Sequence, residues 1–318
     1  MLIPSEPQFS IDADKLQRGY GIQVDRAHWI EYPMVVSIET FAKCNAACTF
    51  CPYPELDRIG EKLSRETVFR LLDEVAAFPV PPGQLNLTRV NEPFLDPFLF
   101  EYIEYARAIM PRVNVHLFTN GQALTDKVID RLNDLENFKQ LTISFNEHDP
   151  DQYARVMGLD QAKTLKRLRR LHERVESDEV RFSLAISRVG ESNESDALYR
   201  KWCEREFPAF RSGINARFNW VGEPGAAKYN HLTPDVGCAQ WFTVNILANG
   251  MSAFCCIDGS SRLERFSIHE NSLYEMYNAP EKRRLREQLV SRRNVRGCEG
   301  CIHGMSAAAF QEPNLAVG

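Results

Sequence analysis

Apolar residues along this chain recur with two alternating periods, and each period predicts one kind of secondary structure. Period-two patterns and short apolar runs predict strands at residues 35–39, 85–90, 113–118, 141–145, 180–186 and 214–220. Apolar stripes with a spacing of three and four predict helices at residues 64–78, 98–110, 124–135, 161–175 and 196–207. The first helix begins with Ser64, a favoured N-cap residue.

This alternation predicts an α/β fold with parallel strands and helical crossovers. Six strand–helix units are too few for a closed eight-fold barrel, so we expect an open or partial (β/α)6 TIM-like barrel. In such folds the functional residues lie on the loops at the carboxyl ends of the strands.

The pattern changes near residue 223, where turn residues and cysteines become denser. Residues 242–247 and 252–255 flank Asn249-Gly250, a strong hairpin turn signal, and residues 272–290 predict one helix. So small a segment needs a metal site or contacts with the barrel for stability. We therefore predict an irregular N-terminal arm (1–32), a partial barrel (33–222), and a small β-hairpin plus helix domain with a tail (223–318).

Composition and charge narrow the class of protein. A hydrophobic content of 44% and a charged content of 25% are typical of a soluble globular protein. The net charge of −5 gives no support for a nucleic-acid or membrane-surface partner. No apolar run reaches the roughly 18 residues of a transmembrane helix. Nine cysteines without a secretory signal predict a reducing, cytoplasmic location and metal ligation rather than disulfides.

Three cysteines follow the first predicted strand within eight residues: Cys44, Cys48 and Cys51. Three soft sulfur ligands this close together favour an iron–sulfur cluster. Because a [4Fe–4S] cluster has one more iron than this loop has thiolates, one iron stays open to a small molecule. The loop therefore predicts a site where chemistry can start.

A second set of cysteines lies in the C-terminal segment: Cys238, Cys255, Cys256, Cys298 and Cys301. On spacing alone a zinc site is as good an interpretation as an iron–sulfur cluster, because paired cysteines are common zinc ligands.

The Cys44-x3-Cys48-x2-Cys51 motif, with Phe50 before the last cysteine, resembles the signature of the radical S-adenosylmethionine (SAM) superfamily. The six predicted strand–helix units match the partial barrel of that family. The resemblance implies that the open iron binds SAM and that Phe50 lies at the cofactor.

Further turns resemble the SAM-binding motifs of this family. Val90-Asn91-Glu92-Pro93 is similar to its Gly-Gly-Glu-Pro turn, which implies that Glu92 and groups around Asn91 hold the methionine amino group. The first two positions depart from the usual glycines. The resemblance further implies SAM contacts after the third, fourth and fifth strands, at Asn120, Ser144, Asn146 and Arg188. For Ser144 and Arg188 the alternative is a local role at a strand end.

The C-terminal layout, with Gly250-x4-Cys255 and Cys298-x2-Cys301, resembles the Twitch domain, a truncated SPASM domain. It implies a second, auxiliary [4Fe–4S] cluster. Counting from Gly250 makes Cys255 a ligand, and the favoured set is Cys238, Cys255, Cys298 and Cys301. Cys256 is then either a small buried residue or a thiol that gives a hydrogen atom to a substrate radical.

The resemblance implies reductive cleavage of SAM to a 5′-deoxyadenosyl radical, which abstracts a hydrogen from a polar small-molecule substrate. The leading hypothesis is two-electron oxidation of a sugar or aminocyclitol, with the auxiliary cluster as electron acceptor and a flavodoxin- or ferredoxin-type protein as donor. One alternative is epimerisation with Cys256 as hydrogen donor. Peptide modification is disfavoured because residues 1–32 are too short for a recognition domain. A non-catalytic iron–sulfur or zinc protein is the alternative from another class.

Overall fold

The computed structural model describes residues 26–190, 193–215, 220–221, 233, 235, 237–288 and 291–301. Most of the predicted N-terminal arm, and the predicted boundary near residue 223, lie outside these residues. The described part of the arm contains a short helix, α1 (Arg26–Glu31).

Seven strands of the described residues form one sheet. They are β1 (Val35–Ile38), β2 (Gln84–Asn86), β3 (Asn114–Thr119), β4 (Phe138–Ser144), β5 (Ser183–Val189), β6 (Arg211–Asn215) and β7 (Thr243–Ile246). The helices between and after them are α2 (Arg65–Ala76), α3 (Leu99–Ile109), α4 (Asp126–Asn133), α5 (Pro150–Met157), α6 (Gln161–Glu176), α7 (Asn193–Glu206), α8 (Leu273–Tyr277) and α9 (Pro280–Gln288).

The sheet has the order β6-β5-β4-β3-β2-β1-β7, and every neighbouring pair runs parallel. This confirms the predicted α/β class with an open parallel sheet and helical crossovers. The N-cap of α2 is also as predicted, since the Ser64 hydroxyl accepts the backbone N–H of Thr67 at 3.1 Å. The bounds of several strands differ from the prediction. The fifth strand is shifted by three residues from the predicted 180–186, so Arg188 lies within β5 and not after it. β2 has only three residues, and residues 216–219 of the predicted sixth strand lie outside the described residues.

The helix α5 was not predicted from the sequence. It has eight residues, of which Tyr153 and Met157 are buried, so it is too short to show a clear apolar period. Its signals are local: Asp149 caps the N-terminus by accepting the N–H of Gln152, and Gly158 ends the helix at a φ of +65°.

The first strand of the predicted hairpin belongs to the main sheet. β7 pairs in parallel with β1, whereas the second hairpin segment contributes an isolated bridge between Ile246 and Ser252. The turn itself is as expected, with Gly250 at a φ of +78° and the Leu247 N–H bonded to the Met251 carbonyl at 2.9 Å. The pairing of β7 with β1 joins residues about 200 positions apart, which no local pattern reveals.

The single helix predicted at residues 272–290 is two helices within the described residues. A capping box of Ser272 and Glu275 starts α8, and Pro280 begins α9 after a break at Asn278. Proline lacks the backbone N–H and crowds the preceding turn, so it separates the two helices.

Successive side chains of a strand point to opposite faces of the sheet. One face is covered by helices and carries the buried apolar residues Val36, Ile38, Leu85, Val115, Leu117, Leu141, Ile143, Leu184 and Ile186. The opposite face, called the polar face below, carries Ser37, Asn86, His116, Thr142, Ser144, Ser187 and Asn245. On this face the Asn86 amide donates to the Ser37 hydroxyl at 3.1 Å. The core therefore lies between the sheet and the helices, and the polar residues lie on the opposite face of the sheet.

Candidate active site

The loop after β1 carries Cys44, Cys48 and Cys51, and all three thiols are half-buried. The Cys51 N–H donates to the Cys48 carbonyl at 3.0 Å, which turns the chain within the loop. The Ala46 N–H points to the Cys44 sulfur at 3.4 Å. Burial raises the pKa of the Cys44 thiol to about 11, so a bound metal must supply the charge that favours the thiolate.

The carboxyl end of α5 supports this loop. The N–H groups of Ala47 and Thr49 donate to the carbonyls of Met157 and Val156, at 3.0 and 2.9 Å. Helix carbonyls of the last turn have no partner within the helix, so the loop satisfies them. A Cβ on Gly158 would lie 3.1 Å from the Ala47 Cβ, which is closer than most such contacts. The cysteine loop thus depends on a helix more than 100 residues away.

Glu92 lies in the turn after β2 and is 2% exposed. Its carboxylate accepts the Thr119 hydroxyl at 2.9 and 3.0 Å, the Asn120 N–H at 2.8 Å and the Phe94 N–H at 3.3 Å. Burial raises the pKa of Glu92 to about 7, although these hydrogen bonds oppose the rise. The Glu92 N–H also donates to the Lys43 carbonyl beside the cysteine loop at 2.8 Å.

The turn after β3 reaches the cysteine loop as well. The Asn120 amide donates to the Asn45 side-chain oxygen at 2.7 Å, and the Asn45 amide donates to Gln122 at 3.2 Å. Asn91 accepts the Arg89 N–H at 2.7 Å, while its own amide nitrogen is buried without a partner among the described residues. The structure thus brings the cysteine loop, the Glu92 turn and the Asn120 turn together.

The three predicted contacts at the ends of β4 and β5 lie in different surroundings, and Ser144 and Arg188 belong to the strands themselves. Ser144 is half-buried on the polar face, opposite Ser187 of β5. Asn146 is buried and joins the two strand ends, accepting the Val189 N–H at 2.8 Å. Arg188 lies on the helix side of the sheet, near the carboxylates of Glu147 and Asp196 at 3.5 and 3.6 Å. The SAM roles of these residues stay predictions.

Phe50 lies at the junction between the cysteine loop and the C-terminal segment. Its carbonyl accepts the Trp220 indole N–H at 2.8 Å, and the Val221 N–H donates to the Ile257 carbonyl at 3.0 Å. A direct contact of Phe50 with the cofactor stays a prediction.

All five cysteines of the second set line one cavity, together with Trp241 and Arg292. No three His, Cys, Asp or Glu side chains of the described residues converge as the ligands of a single ion do. Burial raises the pKa of Cys238 and Cys298 to about 12 and that of Cys256 to about 11. Because Cys255 and Cys256 both line the cavity, the choice of Cys255 as ligand stays a prediction.

Two features of the donor sets fit iron–sulfur clusters. Both sites consist of thiols that burial keeps neutral, as expected where a bound metal supplies the missing positive charge. The Trp241 indole N–H, which lines the second cavity, points at the Cys298 thiol, and this contact opposes the rise in the pKa of Cys298 that burial causes. A donor aimed at a sulfur favours the thiolate that a metal binds. The buried amide nitrogen of Asn91, beside Glu92, is a donor without an acceptor among the described residues.

A buried ion pair that the sequence did not reveal joins the two sites. Glu39, at the end of β1, is fully buried, and its carboxylate binds the Arg58 guanidinium at 2.6 and 3.1 Å. The same carboxylate accepts the N–H groups of Val90 and Ala248 at 3.0 and 3.1 Å. Arg58 also donates to the Gly259 carbonyl in the C-terminal segment. The only sequence signal was an acidic residue directly after an apolar strand.

Arg89 is a second residue that sequence reasoning missed. It directly precedes the Glu92 turn and donates to the Asn245 side-chain oxygen at 2.7 Å and to the Cys255 carbonyl at 2.9 Å. Its position beside Val90-Asn91-Glu92-Pro93 was the signal that could have identified it. Arg89 thus connects the Glu92 turn with the second cysteine site.

Comparisons with known proteins agree with this geometry. A model of the radical SAM superfamily matches residues 38–187, and a model of the SPASM iron–sulfur cluster-binding domain matches residues 238–302. The two ranges include both cysteine sites and confirm the predicted cofactors, SAM and two [4Fe–4S] clusters. A comparison with curated protein sequences gave no significant match. No helix of the described residues combines the length and the apolar character needed to cross a membrane.

Solved structures share the fold at low sequence identity. Streptococcus suis SuiB bound to S-adenosylmethionine has a TM-score of 0.63 and 13% identity, over 87% of this chain and 77% of SuiB. Native anSMEcpe with bound AdoMet and Cp18Cys peptide has a TM-score of 0.59 and 14% identity, over 81% and 82% of the two chains. BtrN in complex with AdoMet and 2-DOIA has a TM-score of 0.52 and 13% identity, over 84% and 91%. The two family matches, which together include residues 38–187 and 238–302, identify the chain as a radical SAM protein with a C-terminal iron–sulfur cluster-binding domain.

Proposed function

We propose that this enzyme oxidises a polar small molecule by two electrons, starting with hydrogen abstraction by a SAM-derived radical. The observation that carries the proposal is the position of the polar face, which is flanked by both cysteine sites. The cysteine loop follows β1, and Asn245 of the polar face binds Arg89, which in turn binds the Cys255 carbonyl. A substrate on this face would be near a radical source and near an electron acceptor.

The polar face suits a substrate with several hydroxyl or amino groups. Asn86, His116 and Ser144 are only partly buried on this face and can contact a substrate, whereas Ser37 and Asn245 are buried and bonded to protein groups. Burial lowers the pKa of His116 on the same face to about 4, so its imidazole stays neutral at physiological pH and both donates and accepts hydrogen bonds. A sugar or aminocyclitol presents matching groups.

The electron count explains why a second cluster is useful. When bound, SAM with its cluster supplies the 5′-deoxyadenosyl radical, and the auxiliary cluster supplies an acceptor for one electron. The substrate loses one hydrogen atom, and then one electron and one proton. Its product is therefore two mass units lighter. The chain's own residues hold the cysteine loop, the Glu92 turn and the polar face in fixed relative positions. A flavodoxin- or ferredoxin-type donor is proposed for the initial electron.

Peptide modification is the second candidate, and two structural neighbours that were solved with peptides support it. SuiB bound to the precursor peptide SuiA has a TM-score of 0.61, and anSMEcpe was solved with a Cp18Cys peptide. BtrN with AdoMet and 2-DOIA supports the small-molecule candidate instead. All three have identities of 13–15%, at which they share a fold with this chain but do not define its substrate.

Epimerisation is the third candidate because Cys256 lines the second cavity and its thiol can give a hydrogen atom to a substrate radical. Turnover in deuterated water separates it from oxidation. An epimerase would incorporate deuterium from the thiol into a product of otherwise unchanged mass, whereas a dehydrogenase gives an unlabelled product two mass units lighter. Cys256→Ala should stop the epimerase and leave the oxidation largely intact.

The test is incubation of the anaerobically reconstituted enzyme with a reductant, SAM and panels of polar metabolites and peptides. We expect a metabolite to stimulate 5′-deoxyadenosine formation and to yield a product two mass units lighter. Stimulation by peptides alone would contradict the small-molecule proposal. A protein that binds iron or zinc but forms no 5′-deoxyadenosine would support the non-catalytic alternative.

A further inference from the structure

Two arginines from the SAM-binding part of the chain hold the ends of one turn beside the second cysteine site. Arg89 donates to the Cys255 carbonyl at 2.9 Å, and Arg58 donates to the Gly259 carbonyl. Between these ends, the buried carboxylate of Asp258 accepts the backbone N–H groups of Phe254, Arg262 and Leu263. The turn that carries Cys255 and Cys256 is therefore fixed by buried charged groups.

The charges of these arginines are compensated differently. Glu39 binds Arg58 through both carboxylate oxygens, at 2.6 and 3.1 Å, and also accepts two backbone N–H groups. This fills the acceptor sites of Glu39 and neutralises Arg58. An ion pair this deeply buried persists because its desolvation is offset by several hydrogen bonds.

Arg89 has no carboxylate within ion-pair distance among the described residues. Its hydrogen-bond acceptors are neutral, the Asn245 amide oxygen and the Cys255 carbonyl, and its Nε is buried without an acceptor in the described residues. A guanidinium keeps its proton in proteins, so the positive charge persists. The groups around it that are or could become anionic are Cys256, Glu39, which Arg58 already pairs, and Cys255.

We propose that Arg89 is a positioning residue of the second site that raises the reduction potential of the auxiliary cluster. An uncompensated positive charge stabilises the more negative, reduced form of a cluster, and net charge is a main determinant of such potentials. Arg89 also fixes the cysteine segment through the Cys255 carbonyl. The inference rests on the auxiliary cluster of the proposed function and explains how the cluster becomes a better electron acceptor.

The test isolates the auxiliary cluster in a full-length chain with Cys44, Cys48 and Cys51 replaced by alanine. In this background, the midpoint potential of the remaining cluster is measured by a redox titration followed by electron paramagnetic resonance. We expect Arg89→Gln to lower the midpoint potential of the cluster. The expected change is about tenfold in the ratio of oxidised to reduced cluster at a fixed applied potential, which corresponds to about 59 mV for one electron. Arg89→Lys, which keeps the charge, should stay near the parent value.

A second variant tests the charge without removing Arg89. Asn245→Asp places a carboxylate against the guanidinium with almost unchanged shape, so it should lower the potential in the same direction. Arg131→Gln, at an exposed ion pair on α4, is the matched control and should leave the potential unchanged. Equal potentials for the parent, Arg89→Gln and Asn245→Asp would overturn the proposal, as would an equally large shift in Arg89→Lys.

The outcome also separates this inference from the proposed function. If the cysteine-substituted chain binds no cluster, the auxiliary site and the role of Arg89 both fail. Formation of 5′-deoxyadenosine by the intact chain would then still support radical initiation. If the cluster forms and its potential does not respond to Arg89, the role of Arg89 alone is wrong.

Discussion

Glu92 accepts the backbone N–H of Asn120 at 2.8 Å, and this bond joins the turns that follow two neighbouring strands of the sheet. Asn120 continues the connection to Asn45 in the cysteine loop at 2.7 Å. Three segments that are separate in the sequence therefore form one unit. The buried Glu92 carboxylate at its centre provides the negative charge that a methionine amino group would need.

Glu92→Gln should weaken SAM binding. The substitution removes the negative charge and replaces one acceptor oxygen with an N–H group that faces existing donors. Hydrogen bonds to charged groups contribute about 1.5–3 kcal/mol, so we expect the dissociation constant of SAM to rise roughly 10- to 150-fold. Equilibrium binding to the reconstituted protein measures this. Glu101→Gln, at an exposed pair with Arg65, is the control, and equal affinity in both variants would contradict the assigned role of Glu92.

The stability of the metal-free protein should depend on pH through Glu92. Its pKa is raised from 4.5 to about 7, mainly by burial. A carboxyl whose pKa is higher in the folded state stabilises that state fully below pH 4.5, and this contribution is lost as the pH rises through 7. At about 1.4 kcal/mol per pKa unit the loss is about 3 kcal/mol. Urea unfolding under reducing conditions at pH 5 and pH 8 should show most of this loss in the parent relative to Glu92→Gln. If the free energy of unfolding depended on pH in the same way in both proteins, the pKa of Glu92 would not be raised.

Gly158→Ala should destabilise the cysteine loop beyond its effect on the backbone alone. Gly158 and Gly60 both have positive φ, +65° and +85°, which costs about 1–2 kcal/mol for a residue with a Cβ. A Cβ at Gly158 would also crowd Ala47, whereas a Cβ at Gly60 would have no atom within 4 Å. Denaturant unfolding should therefore show a larger loss for Gly158→Ala than for Gly60→Ala. Iron incorporation at the loop should decrease in the first variant only.

Arg58→Met should be among the most destabilising single substitutions in this chain. It leaves the fully buried Glu39 carboxylate without its cationic partner, and breaking such pairs costs about 3–5 kcal/mol. The double variant Glu39→Gln/Arg58→Met should be less unstable than the sum of the single variants, because the unpaired charge is gone. Chemical denaturation of the parent, the two single variants and the double variant gives the coupling free energy in a double-mutant cycle. Additive losses would show that the two side chains are not coupled.

The elements and motifs that depend on local sequence were predictable. The Ser64 cap, the Asn249-Gly250 turn and the spacing of Cys44, Cys48 and Cys51 each lie within a few residues, and their patterns follow from hydrogen bonding and ligand chemistry. The resemblance to the radical SAM family then predicted that Glu92 lies in the turn after the second strand and Asn120 in the turn after the third. The structure shows that these two turns meet at the cysteine loop.

The remaining features depend on distant contacts. The bond from Arg58 to Gly259 spans 201 residues, and the bond from Arg89 to Cys255 spans 166. Helix α5 has too few buried residues for a clear period, and its role appears only where Met157 meets Ala47. The parallel pairing of β7 with β1 likewise depends on the whole sheet. Such contacts follow from packing and burial, which local periodicity does not encode.

The most direct test of radical SAM chemistry in this chain compares the parent protein with Cys44→Ala after anaerobic reconstitution and reduction with dithionite. We expect the parent to bind roughly eight irons and to form 5′-deoxyadenosine from SAM, because each of its two sites holds a four-iron cluster. Cys44→Ala should lose 5′-deoxyadenosine formation and retain roughly four irons at the second site. A parent protein that binds four irons or fewer, or that forms no 5′-deoxyadenosine, would contradict the assignment.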